Sequence, residues 1–326
     1  MPENVDLHCH STASDGSLSP KSLLARAAWR QIDWLALTDH DTVAGLHWLL
    51  DNGWPPSVAL VPGCEFSTTW GRHCIHIVAL GFDVKHPGVM ALIDTQCQAR
   101  LARNHFIAAK LARRLADSSA GDCYEGAQQQ ALQRQQHDSH GFSVPPQQVQ
   151  IGRPHFADWL VQKGVVGSRD GAFDRYLSGK RLGKMEHFWP DMAEIVATIA
   201  SWGGLPVLAH PGKYRLSALQ LTTLITQFKE AGGTAIEVVG SRQQRGERAQ
   251  LAQLCVAHDL YASTGSDFHR PGLAAIELGQ PGALPPMCRS VCELMSASNN
   301  GDPACGTVVL ARTAQRPQPL SAESVL

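Results

Sequence analysis

The sequence has almost no net charge. Its 28 Lys and Arg stand against 29 Asp and Glu, a formal charge of -1 at pH 7. That balance argues against a protein that coats nucleic acid by bulk charge, while leaving room for a local basic pocket. No apolar run approaches the length of a membrane span. Charged residues are 17% and hydrophobic residues 44%, which excludes a disordered chain and a coiled coil. No secretory leader is expected, since Val5-Asp6-Leu7-His8 already reads as structure after Met1–Asn4. The nine cysteines show no regular spacing. Cys9, Cys64 and Cys74 fall in apparent strand ends, where small buried thiols are common, so a reducing cytoplasm is expected. There is no P-loop and no G-x-S-x-G elbow. What the 326 residues do have is 15 histidines, unevenly placed.

Short apolar runs recur at Val5–Leu7, Trp34–Leu37, Val58–Val61, Ile75–Leu80, Leu205–Ala209, Thr234–Val239 and Tyr261–Gly265. None alternates clearly, as expected of strands buried on both faces. Helical patterns separate several of them. Ser19-Pro20 reads as an N-cap with proline at the first helical position, opening Lys21–Arg30. Asp191–Trp202 stops at Gly203-Gly204, and Leu216–Ala231 and Arg245–His258 behave similarly. Strand–helix alternation predicts parallel βαβ units closing into a barrel of about seven strands. The expected organisation is an α/β barrel over 1–98 and 191–298, with a helical insert over 99–190 and a flexible tail over 299–326. In the insert, Ala99–Leu115 predicts a helix, the Gln-rich Ser118–Gln150 a mobile loop or irregular helix, and Pro154–Lys163 a helix. Val308–Leu310 is a candidate edge strand in an otherwise frayed tail.

Polar clusters sit where the apolar runs end. The first is Asp6-Leu7-His8-Cys9-His10 followed by Ser14-Asp15-Gly16. Residues i and i+2 of a strand share a face, so His8 and His10 point to one side. A His-x-His pair alone reads equally well as two satisfied core imidazoles. The others are Thr38-Asp39-His40-Asp41, Gly63-Cys64-Glu65, His76, Ala209-His210-Pro211-Gly212 and Gly265-Ser266-Asp267-Phe268-His269. Each supplies His, Asp or Glu at the end of a separate strand, and buried groups of this kind are costly without partners. No matching Arg or Lys occurs in these motifs, so cations are the favoured partners. Imidazole with carboxylate suits Zn, Mn or Fe, and about nine ligands exceed one tetrahedral shell. Two or three ions sharing a carboxylate is the sensible partition.

These motifs resemble the PHP (polymerase and histidinol phosphatase) family of amidohydrolase-like barrels, with only the insert and tail outside the match. Gly152-Arg153-Pro154-His155-Phe156 resembles the TrpH-like branch, whose members are 3′,5′-nucleotide bisphosphate phosphatases and 5′→3′ exoribonucleases of short RNA. The resemblance implies a distorted (β/α)7 barrel with a trinuclear site. His8, His10, Glu65 and Asp267 would hold one ion, and Glu65 would bridge to a second held by His76 and His210. Asp15, His40 and His269 would hold a third. Mn2+ is the expected metal, with Fe2+, Zn2+ or Co2+ as alternatives. The Gln-rich stretch departs from the family's usual link in its length.

Clustered divalent ions would make hydroxide available near neutral pH and neutralise phosphoester oxygens, so no protein nucleophile is required. Asp15, His40 and His210 are the candidates for proton transfer, and sequence does not choose among them. Arg153 before Pro154 opens a helix and forms a candidate anion site, with His155 adjacent. Arg100, Arg103 and Asn104 share one helix face toward the same phosphate; Lys180, Lys184 and Lys213 are further candidates. Apart from Arg153, each reads on its own as a solvated surface group. Glu237 is either a partner for a ligand histidine or an ordinary core-edge carboxylate. Trp70 and Trp202 read as packing residues before base-stacking ones. The expected activity is loss of the 3′-phosphate from a pAp-like nucleotide, with short 5′-phosphorylated RNA as a further substrate. Histidinol-phosphate phosphatase and a non-enzymatic metal-stabilised module are the alternatives. No membrane association and no stable protein partner is expected.

Overall fold

A computed structural model describes residues 2–136, 141–240, 243–244, 246–272 and 277–298. The Val308–Leu310 strand and the tail over 299–326 lie outside the described residues. The elements run β1 (Val5–Cys9), α1 (Pro20–Trp29), β2 (Trp34–Leu37), α2 (Ala44–Asn52), β3 (Ala59–Trp70), β4 (His73–Leu80), α3 (Pro87–Ala112), α4 (Ala120–Gln136) and α5 (Arg153–Gln162). Two short turns, α6 (Arg169–Ala172) and α7 (Gly179–Leu182), follow. Then come α8 (Met192–Ser201), β5 (Leu205–Leu208), α9 (Ala218–Glu230), β6 (Ala235–Val239), α10 (Glu247–Ala257), β7 (Tyr261–Thr264) and α11 (Cys292–Ser298). No described helix is long and apolar enough to cross a membrane.

The seven strands form one sheet in sequence order. It nearly closes where Cys9 bridges Phe268, with Asp267 N–H donating to His8 O at 2.8 Å and His10 N–H to Phe268 O at 2.9 Å. The seven expected strands are all present, but the all-parallel reading requires correction. β4 is antiparallel to both β3 and β5. Only Gly71-Arg72 separates β3 from β4, and a parallel connection needs a crossover of a dozen residues or more. β3 also runs on to Trp70, well past Val61, so Glu65 lies within a strand rather than after one. Pro62-Gly63 mimics a strand end in the sequence. Yet a Cβ on Gly63 would sit 2.7 Å from Thr38 Cγ2, so this glycine marks a close approach of strands.

The two faces of the sheet separate by strand parity. Leu35, Leu37, Leu60, Ile77, Ala79, Leu208 and Ile236 pack with helix residues such as Leu23, Leu46 and Ile195. Trp34, Ala36, Ala59, Val61, Val78, Leu80, Val207 and Ala235 form the opposite, inward row. Period-two alternation puts Glu65, His76 and Glu237 on that inward row, where apolar filling gives way to polar groups at one rim.

A separate apolar cluster holds the helical segment between β4 and β5, including Ile107, Leu111, Cys123, Ala127, Phe156, Trp159 and Leu177. The mobile loop or irregular helix expected within Ser118–Gln150 is over Ala120–Gln136 a regular helix. Gln is a good helix former, and Cys123, Ala127, Ala131 and Gln135 are buried at i+4 intervals. Ser119 and Asp122 exchange hydrogen bonds at its start, with Ser119 N–H donating to Asp122 Oδ2 at 2.8 Å and Asp122 N–H to Ser119 Oγ at 3.1 Å. α3 begins at Pro87, a dozen residues earlier than expected, capped by the His86 side chain accepting from Gly88 N–H. Cys9 and Cys64 are buried as expected, but Cys74 is exposed near the β3–β4 turn.

Candidate metal centre

All nine expected ligands converge at one rim of the sheet. His8 is the last residue but one of β1 and His10 follows the strand, Asp15 lies in the next loop, and His40 follows β2. Glu65 and His76 face each other's vicinity from β3 and β4, while His210, Asp267 and His269 follow β5 and β7. Glu65 is at the middle. Its Oε1 lies 2.7 Å from His76 Nδ1 and 2.9 Å from His210 Nε2. Its Oε2 lies 2.9 Å from His40 Nδ1 and 3.3 Å from both His8 Nε2 and His10 Nε2. Asp267 Oδ1 is 3.2 Å from His10 Nε2, and Asp15 Oδ1 is 3.3 Å from His269 Nε2.

The ligand atoms fall into four overlapping groups that fit a multinuclear metal site. They are His10–Asp15–His40–His269, His8–Glu65–His210, His8–His10–Asp267 and His40–Glu65–His76. Orphaned atoms support that fit. Asp15 Oδ1, His40 Nδ1 and Glu65 Oε2 are buried yet lack hydrogen-bond partners, although His40 and Glu65 are in close contact. Buried polar atoms facing one another without aligned hydrogen bonds are what cation ligands leave. Two of the ring nitrogens remote from the centre are held, while His10 Nδ1 and His210 Nδ1 are buried without hydrogen-bond partners. His8 Nδ1 contacts Glu237 Oε1 at 2.6 Å, and His269 Nδ1 contacts the Asp267 carbonyl at 2.9 Å. Protons on those nitrogens free both Nε2 atoms to coordinate. Glu237 is therefore the partner of a candidate ligand histidine rather than an unpaired core-edge carboxylate.

The protein groups alone polarise the site strongly. Burial opposes the charge of Glu65, yet the His40, His76 and His8 rings hold its carboxyl well below the usual range. Asp267 is likewise held down against burial, by Lys213 and His10. Burial disfavours His10 as a cation, but Asp267 and Glu65 raise it to about 10. Three non-ligand carboxylates fix the loops. Asp39 accepts from Ser11 N–H at 2.8 Å and from the Ser11 and Ser14 hydroxyls, both at 2.6 Å. Asp6 accepts from Ser266 N–H at 2.8 Å, tying β1 to the loop after β7. Asp41 accepts from Ser67 N–H at 2.8 Å and pairs with Arg100. His210 and Asp267 adopt left-handed backbone, at φ 59° and 51°, a strain of about 1–3 kcal/mol each that the surrounding hydrogen bonds must hold. Gly265 packs so closely on His8 that a Cβ there would collide with the His8 side chain.

A cavity of about 680 Å3 opens over the centre, with Asp15, His40, His76 and His269 on one wall. Arg72, Arg100, Arg103, Arg153, Lys184 and Trp189 line the rest of it with others. Arg100 and Arg103 are nearly buried, not solvated surface groups. Arg100 pairs with Asp41, whereas Arg103 is crowded by Arg153 and Arg100; burial first, then those charges, lower it to about 9. Both guanidinium groups lie over the Trp189 ring, at 5.3 and 5.5 Å. Asn104 and His155 stand behind the wall. Asn104 Nδ2 donates to Ile151 O at 2.9 Å, and His155 Nδ1 accepts from Gly152 N–H at 2.9 Å. Burial pushes His155 down to about 3, with a further contribution from Arg134. Lys180 is exposed away from the cavity lining, and Lys213 pairs with Asp267. Trp202 packs on Phe66 and Phe82, while Trp70 donates to Gln227 at 2.6 Å. Arg72 and Trp189 escaped the sequence reading. Arg72 depends on an unrecognised hairpin, and Trp189 had only its place just before Pro190 as a signal.

The sequence profile of the PHP domain matches residues 6–203. The chain is 35% identical over 294 residues to the 3′,5′-nucleoside bisphosphate phosphatase of Chromobacterium violaceum, covering 90% of this chain and 97% of that one. It is 38% identical over 297 residues to the 5′-3′ exoribonuclease Rnm of Escherichia coli strain K12, covering 90% and 94%. A solved structure of an amidohydrolase from Chromobacterium violaceum, with bound sulfate and no metal, superposes with a TM-score of 0.77 at 33% identity, covering 95% and 99%.

Proposed function

Because the chain belongs to the PHP domain family, we propose that this metal-dependent phosphoesterase removes the 3′-phosphate from nucleoside 3′,5′-bisphosphates. The observation that carries this reading is the group of arginines that lines the same cavity as the candidate metal ligands. Arg103 and Arg153 line the cavity that Asp15, His40, His76 and His269 also line, and Arg103 has no ion-pair partner among the described residues. A mononucleotide with one phosphate at the ligands and another at these arginines would satisfy both.

His8, His10, Glu65 and Asp267 would hold one ion, Glu65, His76 and His210 a second, and Asp15, His40 and His269 a third, with Mn2+ the first choice. Bound divalent ions supply an activated water and neutralise the phosphoryl oxygens. The remaining work belongs to the chain. Arg103 and Arg153 orient the 5′-phosphate, and Trp189 covers the cavity beside Arg100 and Arg103. Asn104 and His155 act behind them, fixing the Ile151-Gly152 backbone from which Arg153 projects. Asp15 and His40 line the cavity and His210 does not, which favours the first two as carriers of a proton to the leaving 3′ oxygen. Lys180 has no part in this reading, and Lys184 stands at the cavity wall as a further cation.

The test compares pAp with 3′-AMP, which lacks the 5′-phosphate. Arg103→Ala should lower kcat/KM for pAp about tenfold to a hundredfold, the size of a charge-assisted hydrogen bond, and leave 3′-AMP nearly unchanged. Equal loss on both substrates, or a wild-type preference for histidinol phosphate, would overturn the assignment. Failure to release phosphate from any of the three with Mn, Fe, Co or Zn would support a non-enzymatic module.

A further inference from the structure

The reaction proposed above has one consequence for the shape of the site. A water oxygen bonds to phosphorus, the bond from phosphorus to the 3′ oxygen breaks, and one water proton passes to that oxygen. The phosphoryl group keeps whatever it carries on its other ester oxygen. In a nucleoside bisphosphate it carries nothing further. In an oligonucleotide it carries the next nucleotide and all that follows, and that strand needs a path away from the centre.

A second cavity, of about 640 Å3, supplies such a path. It shares Asp15, Pro154, Phe173 and His269 with the first, and it also reaches Asp267. The two cavities therefore meet at ligand residues while their other walls differ, and each has the volume of a ligand pocket. The second wall carries five cations: Arg134, Arg169, Lys213, Arg215 and Arg270. Its acids apart from the ligands are Asp170 and Glu247. Arg134 and Arg169 are committed to Asp158, and Lys213 to Asp267. Arg215 and Arg270 have no ion-pair partner among the described residues. Arg215 follows His210 by five residues and is held at φ 53°, a conformation that an arginine adopts only under local constraint.

We propose that this second cavity is the track for a single-stranded oligoribonucleotide downstream of the scissile phosphate, with Arg215 and Arg270 contacting its backbone phosphates. The proposal rests on the first cavity holding the 5′-terminal nucleotide. Both substrates then undergo the same bond cleavage, and they differ only in whether the second cavity is filled.

The experiment measures hydrolysis of pAp and of 5′-phosphorylated penta-adenylate by the Mn2+-loaded wild type and by the double variant Arg215→Ala, Arg270→Ala. The variant should keep pAp turnover within about twofold and lose about tenfold or more in kcat/KM on the pentamer, as for two charge-assisted phosphate contacts. Its pentamer rate should also depend less on salt, the log–log slope falling by roughly 1.4 for two contacts on a single strand. Charge reversal, Arg215→Glu with Arg270→Glu, should deepen the pentamer loss alone. Intact pAp turnover reports that each variant is folded. A wild type that cleaves pAp but leaves the pentamer untouched would overturn the track, as would a variant that loses both substrates equally or neither. A wild type inert on both would instead overturn the reading of the first cavity.

Discussion

Replacing Glu65 with Gln should disable the centre while preserving its packing. The side chain is fully buried, and its two oxygens meet five imidazoles at 2.7–3.3 Å. Gln keeps the volume but removes the negative charge and one acceptor. Loss of a supporting ligand partner costs 10–100-fold in metal affinity, so loss of the shared ligand itself should cost about 100-fold or more. At a free metal concentration of about 100 Kd, each ion stabilises the fold by about 2.7 kcal/mol, and a 100-fold weaker site gives about 0.4 kcal/mol. Two ions share Glu65 in this account, so the difference is about 4–5 kcal/mol. For a chain of this size that is roughly a 7 °C loss in the Mn2+-induced rise of Tm. The assay is thermal unfolding with Mn2+ and with chelator, paired with metal content per chain by mass spectrometry. Glu65→Gln should bind at least one ion fewer and show little Mn2+-dependent shift. Wild-type stoichiometry and an unreduced shift in the variant would refute the bridging role.

Two further outcomes follow from the surroundings of the ligands. Glu237→Gln weakens the hold on His8 Nδ1 and should lower metal affinity about 10–100-fold, measured by competition with a chromogenic chelator. His155 is buried and neutral, with a pKa near 3 in the fold against about 6.5 when unfolded. A depressed histidine pKa stabilises the fold fully above the unfolded value and loses that stabilisation as pH falls toward the folded value. Near pH 5 the loss is about 2 kcal/mol by linkage, so denaturant titrations at pH 7 and 5 should show His155→Gln losing less stability than the wild type on acidification.

The centre was legible because its ligands obey strand periodicity. His8 and His10 share parity, and each remaining cluster follows or interrupts an apolar run, so phase alone predicted convergence. The fold was legible where local signals agree. Ser19-Pro20 caps α1, and Asp191 accepts from Ala193 N–H at 2.8 Å to open α8. The misreadings come from residues whose tertiary role overrides their usual meaning. Pro62-Gly63 reads as a strand end, but the close approach of Thr38 and continued pairing with β4 carry β3 through it. The Gln-rich segment reads as a mobile loop or irregular helix, but a small-residue face against α5 makes it a regular helix over Ala120–Gln136. Arg100 and Arg103 read as surface charge because arginine is seldom buried without a partner. Their position in a polar cavity beneath Trp189 depends on the chain returning some 85 residues later, which no local pattern encodes.

Anomalous diffraction from crystals grown with Mn2+ tests the central claim most directly. Two or three manganese peaks are expected within coordination distance of the nine candidate ligands, with Glu65 shared between two of them. Absence of manganese between Glu65 and its histidines, with the ligands closed on one another, would contradict it.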